Sequence, residues 1–442
     1  MSHSKDPDFT RSKQLFERAK RVIPGGTNSA ARTMVYGVYE GLSLEYPKFI
    51  SRAIGSHIYD VDGNDFIDYH LAFGPIILGH AHPTVNGAVK NQMDKGVVFG
   101  IDHESELELS EKIVKHVPCA EMVGLMNTGS DVTSTVVRIS RIHTGREKII
   151  KFSGSYHGWH DWATMGGSFG GGVSVHPGVP KGIVGSTIVL PWNDLEVVEK
   201  SMVNQGHEVA AIITEPYMFN GGVIPPEKGY LVSLRKLTKE YGSLLIFDEV
   251  ITGFRLGLSG GQGMLGVTPD LATFAKAMAN GYTISAFTGS REILEPLTGR
   301  AWIGGTYNSN PIGTSAALAT ITELEKEGNW AHLYSIGKSL MKGVEDAMKD
   351  NGVQGIVQGP GPGLSIFFTP KERIIRPEDV DAPFHPHVMR SVIFYREMIK
   401  RGCFMHPSRI GRVYVSAAHT EEDIQKTIDA AGEALKAAAN IR

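Results

Sequence analysis

Cysteine is nearly absent from this chain, with only Cys119 and Cys403 among 442 residues. A disulfide framework is therefore excluded, and a reducing compartment suits the sequence. Long apolar runs are missing too. None approaches the ~18 residues that a membrane span needs. The first residues, MSHSKDPDFTRSKQ, lack the apolar segment of a secretory signal. The expected location is the cytoplasm. Nor does one sign of charge dominate: the formal net charge is −3, which gives neither nucleic acid nor an anionic membrane a basic face to bind. No metal is expected either. What remains is a chain with 41% apolar residues, long enough for one large core and a smaller domain.

Glycine is plentiful, at 52 residues without a period, which points to many tight turns rather than low complexity. From Glu104 onward, short apolar runs alternate with helical patterns. MVGLM, KIIKF, VAAIIT, LLIFD and ISAFTG read as strands, separated by helices such as Ser130 to His143 and KGYLVSLRKLTKEYG. This alternation predicts an α/β fold with a mainly parallel central sheet flanked by helices. Ahead of it, a helix over Leu15 to Ile23 runs into Pro24-Gly25-Gly26, and SHIYDVDGNDFIDY reads as a hairpin turning at Asp62-Gly63.

After Asn310-Pro311, one long helical region is predicted over 313–350. The strands LSIFF and RVYVS with two further helices then make a smaller α+β domain. The expected division is an N-terminal segment 1–70 packed with a small domain 326–442, and a large domain 71–325 between them. A glycine-rich stretch from Trp162 to Gly182 reads as a lid loop.

The chemistry is organised around LLIFDEVITGFR. Asp248 closes a run with no polar alternation, and ligands in α/β sheets sit beyond the carboxyl ends of strands. Lys276 follows among Leu271, Ala272, Phe274 and Ala275, apolar company that favours a neutral, nucleophilic amine. Each residue alone fits a plainer role, as a helix cap or a helix-end decoration.

Other features add to the pair. Gly129 and Ser130 join a strand to a helix N-terminus, which suits either a phosphate cradle or a simple cap. Tyr156 and His157 follow strand KIIKF. Glu215 closes VAAIIT, with Asn220 in the loop after it, and Gly304-Gly305-Thr306 is another donor-rich turn. A lysine for an aldehyde, a carboxylate for a pyridine nitrogen, an anion cradle and a stacking ring together describe a site for pyridoxal 5′-phosphate (PLP).

The order TGSD, YHG, FDEVITGFR, AKAMANG, GGTYNSNP resembles the class III PLP-dependent aminotransferases of fold type I, and within them the glutamate-1-semialdehyde 2,1-aminomutase group. The resemblance spans nearly the whole chain. It implies that Lys276 is the Schiff-base lysine, that Asp248 partners the pyridinium, and that Tyr156 covers the ring with His157 and Val250 nearby. By the same resemblance, Gly129 and Ser130 hold the phosphate and Asn220 lies near the phenolic oxygen, with Glu215 in the cofactor set. Thr306 would reach the phosphate of a neighbouring subunit, so a homodimer is implied. Ser29 and Arg32, in PGGTNSAAR, would meet a substrate carboxylate. Phe73 stands where the group has a tryptophan.

The chain also departs from the aminomutase pattern. It has AKAMANG rather than GKIIGGG, and Gly129-Ser130-Asp131-Val132 rather than GTEA. Gly411 takes the place of a C-terminal glutamate, while Arg409 and Arg412 read as solvated surface residues. These departures favour transfer of an amino group from an α-, β- or ω-amino carboxylate to a 2-oxo acid. Intramolecular transfer by an aminomutase is the alternative, and racemisation comes third.

Overall fold

The computed structural model describes residues 6–29, 31–32, 48–166, 177–297, 300–381, 385–405, 407–408 and 410–439. After the helix Thr10–Ala19 comes an antiparallel meander of β1 (Ile50–Ile54), β2 (His57–Asp60) and β3 (Asp65–Asp68). The large sheet follows: β4 (Met122–Met126), β5 (Lys148–Phe152), β6 (Thr187–Leu190), β7 (Val209–Thr214), β8 (Leu244–Asp248), β9 (Leu271–Phe274) and β10 (Ser285–Gly289). Its seven strands lie in the order β4-β10-β9-β8-β7-β5-β6. β10 runs antiparallel to both neighbours, and the other pairings are parallel. The α/β fold read from the sequence is the fold observed.

β7 and β8 lie inside this sheet and are buried at every position. Helices cover both faces, so VAAIIT and LLIFD need no polar alternation. Ile212, Leu245 and Ile246 are wholly buried, and truncating one of them to alanine would cost about 2–5 kcal/mol. Parallel strands send their carboxyl ends to one edge. Phe152, Thr214, Asp248 and Phe274 end their strands there, and the next residues in the chain form the site.

Two strands of the large sheet escaped the sequence reading, β6 and β9. Each has only four residues, too few for a periodic pattern to stand out. The helical region predicted over 313–350 is two helices, Pro311–Leu324 and Asn329–Asp350. Gly328, at φ +92°, breaks them with a left-handed backbone that suits glycine. The first helix ends at Ala19, short of Ile23. Residues 167–176 of the glycine-rich stretch expected as a lid lie outside the described residues.

The C-terminal part adds β11 (Ile356–Gln358), β12 (Gly363–Phe367), β13 (Cys403–Phe404) and β14 (Arg412–Tyr414). β11, β12 and β14 form a three-stranded sheet, whereas β13 pairs in parallel with β3, Cys403 opposite Ile67. Among the described residues no helix is long and apolar enough to cross a membrane.

One buried cation knits distant segments together. Arg255 donates from Nη1 to Pro362 O (2.9 Å) and Val415 O (3.0 Å), and from Nη2 to Gly74 O (2.7 Å). The last of these bonds ends an unusual turn. Leu71, Ala72 and Phe73 have φ of +45°, +56° and +68°, a left-handed run that costs non-glycine residues energy. Asp68 clamps its other end, with Oδ1 accepting from His70 N (2.9 Å) and Leu71 N (3.0 Å).

Candidate active site

A cavity opens at the carboxyl edge of the large sheet. Its walls include Gly129, Ser130, Tyr156, His157, Glu215, Asn220, Asp248, Val250 and Lys276. The loops after β4, β5, β7, β8 and β9 supply them, so the parallel topology gathers residues that are far apart in sequence.

Asp248 is held from three sides. Its Oδ2 lies 2.6 Å from His157 Nδ1, and its Oδ1 accepts from Val250 N (3.0 Å) and Thr273 Oγ1 (3.3 Å). A carboxylate only accepts, so His157 carries its proton on Nδ1. Burial pushes the His157 pKa down while Asp248 opposes the shift. His157 is thereby kept as a neutral donor to a carboxylate that lines the cavity.

Lys276 follows β9 at φ +47°, a strained backbone that places its side chain on the cavity wall. Burial and then the Arg412 charge bring its pKa down to about 8, against the pull of Asp248 and Glu215. A second buried lysine, Lys151, is also lowered to about 8 by burial. Geometry separates the two. Lys151 Nζ donates to Ala163 O and Met165 O, each at 2.6 Å; it does not line the cavity.

Glu215 sits opposite, fully enclosed. Its Oε2 accepts from Asn220 N at 3.1 Å, and its Oε1 has no partner among the described residues. Burial, then the Asp248 charge, raise its pKa to about 7. Asn220 Oδ1 in turn accepts from Arg412 Nη1 at 2.8 Å. Arg412 is 7% exposed, which corrects its reading as a solvated residue. Strand β14 carries it inward, and Arg409 lies outside the described residues.

The far end of the cavity is a helix N-terminus. Thr128 caps the helix Gly129–Thr144 by exchanging bonds with Asp131, Thr128 N to Oδ2 (2.9 Å) and Asp131 N to Thr128 Oγ1 (3.3 Å). The capping role thus falls to Thr128. Gly129 and Ser130 keep first-turn N–H groups without intrahelical acceptors, at the positive end of the dipole. Two glycines preserve space here. A Cβ on Gly129 would lie 3.0 Å from Val250 Cγ1, and one on Gly158 would lie 2.8 Å from Ser130 Oγ. Tyr156, 40% exposed, lines the same cavity.

Four residues expected at the site do not line this cavity: Ser29, Arg32, Phe73 and Thr306. Arg32 is exposed, and its N donates to Ser29 O at 2.9 Å. Phe73 is half-buried against His70, with ring centroids 4.1 Å apart. Thr306 is exposed. Conversely, sequence reasoning missed Thr273, Thr133 and Ile251. Thr273 had a visible signal, as the one polar residue in LATF. Thr133, whose Oγ1 donates to His157 O at 2.6 Å, had none.

Gly411 has no room for a side chain. At φ +52°, a Cβ there would collide with the Ile366 carbonyl oxygen and the Tyr395 hydroxyl.

Comparison with known proteins places this geometry in a lineage. The family model described as aminotransferase class III matches residues 41–382. The chain is 41% identical to the glutamate-1-semialdehyde 2,1-aminomutase of Ignicoccus hospitalis, over 96% of this chain and 99% of that one. It is 38% identical to the protein of the same name from Desulforamulus reducens, over 98% and 99%. Among solved structures it is similar to an omega-transaminase from Sphaerobacter thermophilus, with TM-score 0.89 and 32% identity, covering 96% of this chain and 97% of that one. A structure described as a transaminase with PLP bound matches with TM-score 0.88 at 25% identity, covering 98% of each. The family's cofactor is PLP. By its sequence and its fold, this chain is a member of the class III aminotransferase family.

Proposed function

We propose that this chain binds PLP in the cavity between Lys276 and Asp248 and uses it to move an amino group on an amino-carboxylate substrate. One observation carries the reading: a lysine of lowered pKa and a buried, histidine-braced carboxylate line the same cavity. The residues suit the cofactor. Gly129 and Ser130 offer N–H donors for its phosphate, and Tyr156 a ring to lie over. Glu215 Oε1, without a hydrogen-bond partner among the described residues, and the Asn220 amide would serve its phenolic oxygen.

When bound, the cofactor supplies an electron sink for charge that develops at the substrate's amine-bearing carbon. The protein supplies the rest. Asp248 holds the proton on the ring nitrogen, and His157 keeps that carboxylate oriented. Lys276 Nζ, neutral at mildly alkaline pH, takes and returns the proton at the substrate carbon. Val250 packs at the cavity wall beside Gly129. Ser29, Arg32 and Phe73 remain candidates for the substrate side, and Thr306 for a second subunit's phosphate. On this reading the working unit is a homodimer. A cytoplasmic setting agrees with two buried free cysteines.

The aminomutase names of relatives near 40% identity support intramolecular transfer, with glutamate 1-semialdehyde as substrate, above the other readings. The sequence-based preference for an external 2-oxo acid acceptor takes second place. Its support is specific: Gly411 leaves no space for the glutamate that the aminomutase pattern has there. One incubation separates them. Supply glutamate 1-semialdehyde with and without a 2-oxo acid, and identify the products by mass spectrometry. Isomerisation without acceptor supports the first reading; strict acceptor dependence supports the second. Sedimentation at a single-chain mass would count against the dimer.

A further inference from the structure

Arg412 stands outside the cavity's lining yet bonds one of its walls. It begins β14, where it pairs with Ser365 of β12. The backbone just before it, at Gly411, is pressed against β12 and admits no side chain. The first side chain that this strand can send inward is therefore a cation.

Its Nη1 donates to Asn220 Oδ1 at 2.8 Å, in a contact buried on both sides. A guanidinium has only donors, so the amide atom it faces must be the oxygen. Asn220 is consequently fixed in one of its two amide orientations, with the NH2 turned away from Arg412. The Asn220 backbone N–H is also engaged, on Glu215 Oε2 at 3.1 Å. Both ends of this residue are thus held, and it lines the cavity. Beside it Glu215 Oε1, wholly buried, has no hydrogen bond of good geometry among the described residues, although the Asn220 side-chain amide lies near enough to the Glu215 carboxyl to favour its charged form. An aligned amide donor next to an open carboxyl oxygen is a site for an oxygen that can accept from one and share a proton with the other.

We propose that Arg412 is a positioning residue, which acts through Asn220 to hold an amide N–H against the oxygen bound beside Glu215. The proposal rests on the PLP reading for the identity of that oxygen, the phenolic oxygen of the cofactor. It does not depend on whether the reaction is intramolecular. Lysine in place of Arg412 keeps one donor and one charge, and so keeps part of the effect. Methionine keeps only the bulk.

The test is a double-variant cycle on the holoenzyme with Arg412→Met, Arg412→Lys, Asn220→Ala and the pair Arg412→Met with Asn220→Ala. The readout is the pH midpoint of the visible band of bound PLP. Arg412→Met and Asn220→Ala should each move that midpoint upward, by about one pH unit, because each removes a donor or charge that favours the anionic oxygen. The paired variant should move it by clearly less than the sum of the two, and Arg412→Lys should restore part of the shift. Additive shifts would overturn the proposal, since Arg412 would then act by charge alone.

A crystal structure of the Arg412→Met protein without cofactor provides a readout independent of PLP. The Asn220 side chain should leave its present rotamer. An unmoved Asn220 overturns the proposal even if the cofactor reading stands. If the unmutated protein develops no visible band with PLP, the functional reading falls instead, and the Asn220 rotamer still decides the role of Arg412.

Discussion

His157 Nδ1 lies 2.6 Å from Asp248 Oδ2, with both side chains enclosed. This contact turns a strand-end aspartate into a fixed anion at the cavity wall. A carboxylate held from three sides does not rotate away when a ligand enters, so its charge is preorganised.

Asp248→Asn keeps the shape and removes the charge. Turnover should fall by about 10²-fold or more, since a neutral amide cannot keep a ring nitrogen protonated. His157→Asn should cost less, about tenfold, because it loosens the anion without deleting it. Steady-state rates with saturating PLP check both. An Asp248→Asn enzyme with unimpaired rates would remove this residue from the mechanism.

Glu215 should leave a signature in pH-dependent stability. Its folded pKa of about 7 lies above its ordinary 4.5, and burial is the largest cause. The folded protein therefore retains a proton that the unfolded chain loses between those values. Its contribution is fully present below pH 4.5 and is lost as pH rises through 7. Glu215→Gln should match the parent protein in buffer below pH 4.5 and exceed it at pH ~8 by about 1–3 kcal/mol. Urea denaturation of cofactor-free protein at the two pH values measures the difference. Equal stabilities at both would mean that Glu215 titrates normally.

The glycine cradle predicts a binding defect without unfolding. Gly158→Ala would put a methyl group 2.8 Å from Ser130 Oγ, at a φ of +111°. The Ser130 hydroxyl must shift, and PLP affinity should weaken by about tenfold or more, roughly 1.4 kcal/mol. Fluorescence titration with PLP, beside circular dichroism of the cofactor-free protein, distinguishes this from loss of fold.

Arg255 should matter for stability before it matters for chemistry. Methionine there would leave the carbonyls of Pro362, Val415 and Gly74 buried without their donor. Each such orphan costs about 1–3 kcal/mol. A fall of several kcal/mol in unfolding free energy is expected, and a loss under 1 kcal/mol would mean that water replaces the guanidinium.

Much of this architecture was legible before any coordinates. LLIFD and VAAIIT announced buried parallel strands because both their faces are covered, and the residues closing them, Asp248 and Glu215, fell where ligands bind. TIVL and LATF were too short to declare themselves. Arg412 was misread for a physical reason: arginine is ordinarily at the surface, and only the register of β14 turns it inward. Gly411 looked like a simple absence of glutamate, whereas the fold shows a position where no side chain fits. The substrate role of Arg32 and the neighbouring-subunit role of Thr306 came from family resemblance. Neither residue reaches the cavity within one chain, and burial patterns cannot foretell what a second chain would bring.

The most direct measurement is to add PLP, reduce with borohydride, digest, and map the modified lysine by mass spectrometry. Label confined to Lys276 is the predicted result. Label on Lys151 or any other lysine, or none at all, would contradict the account.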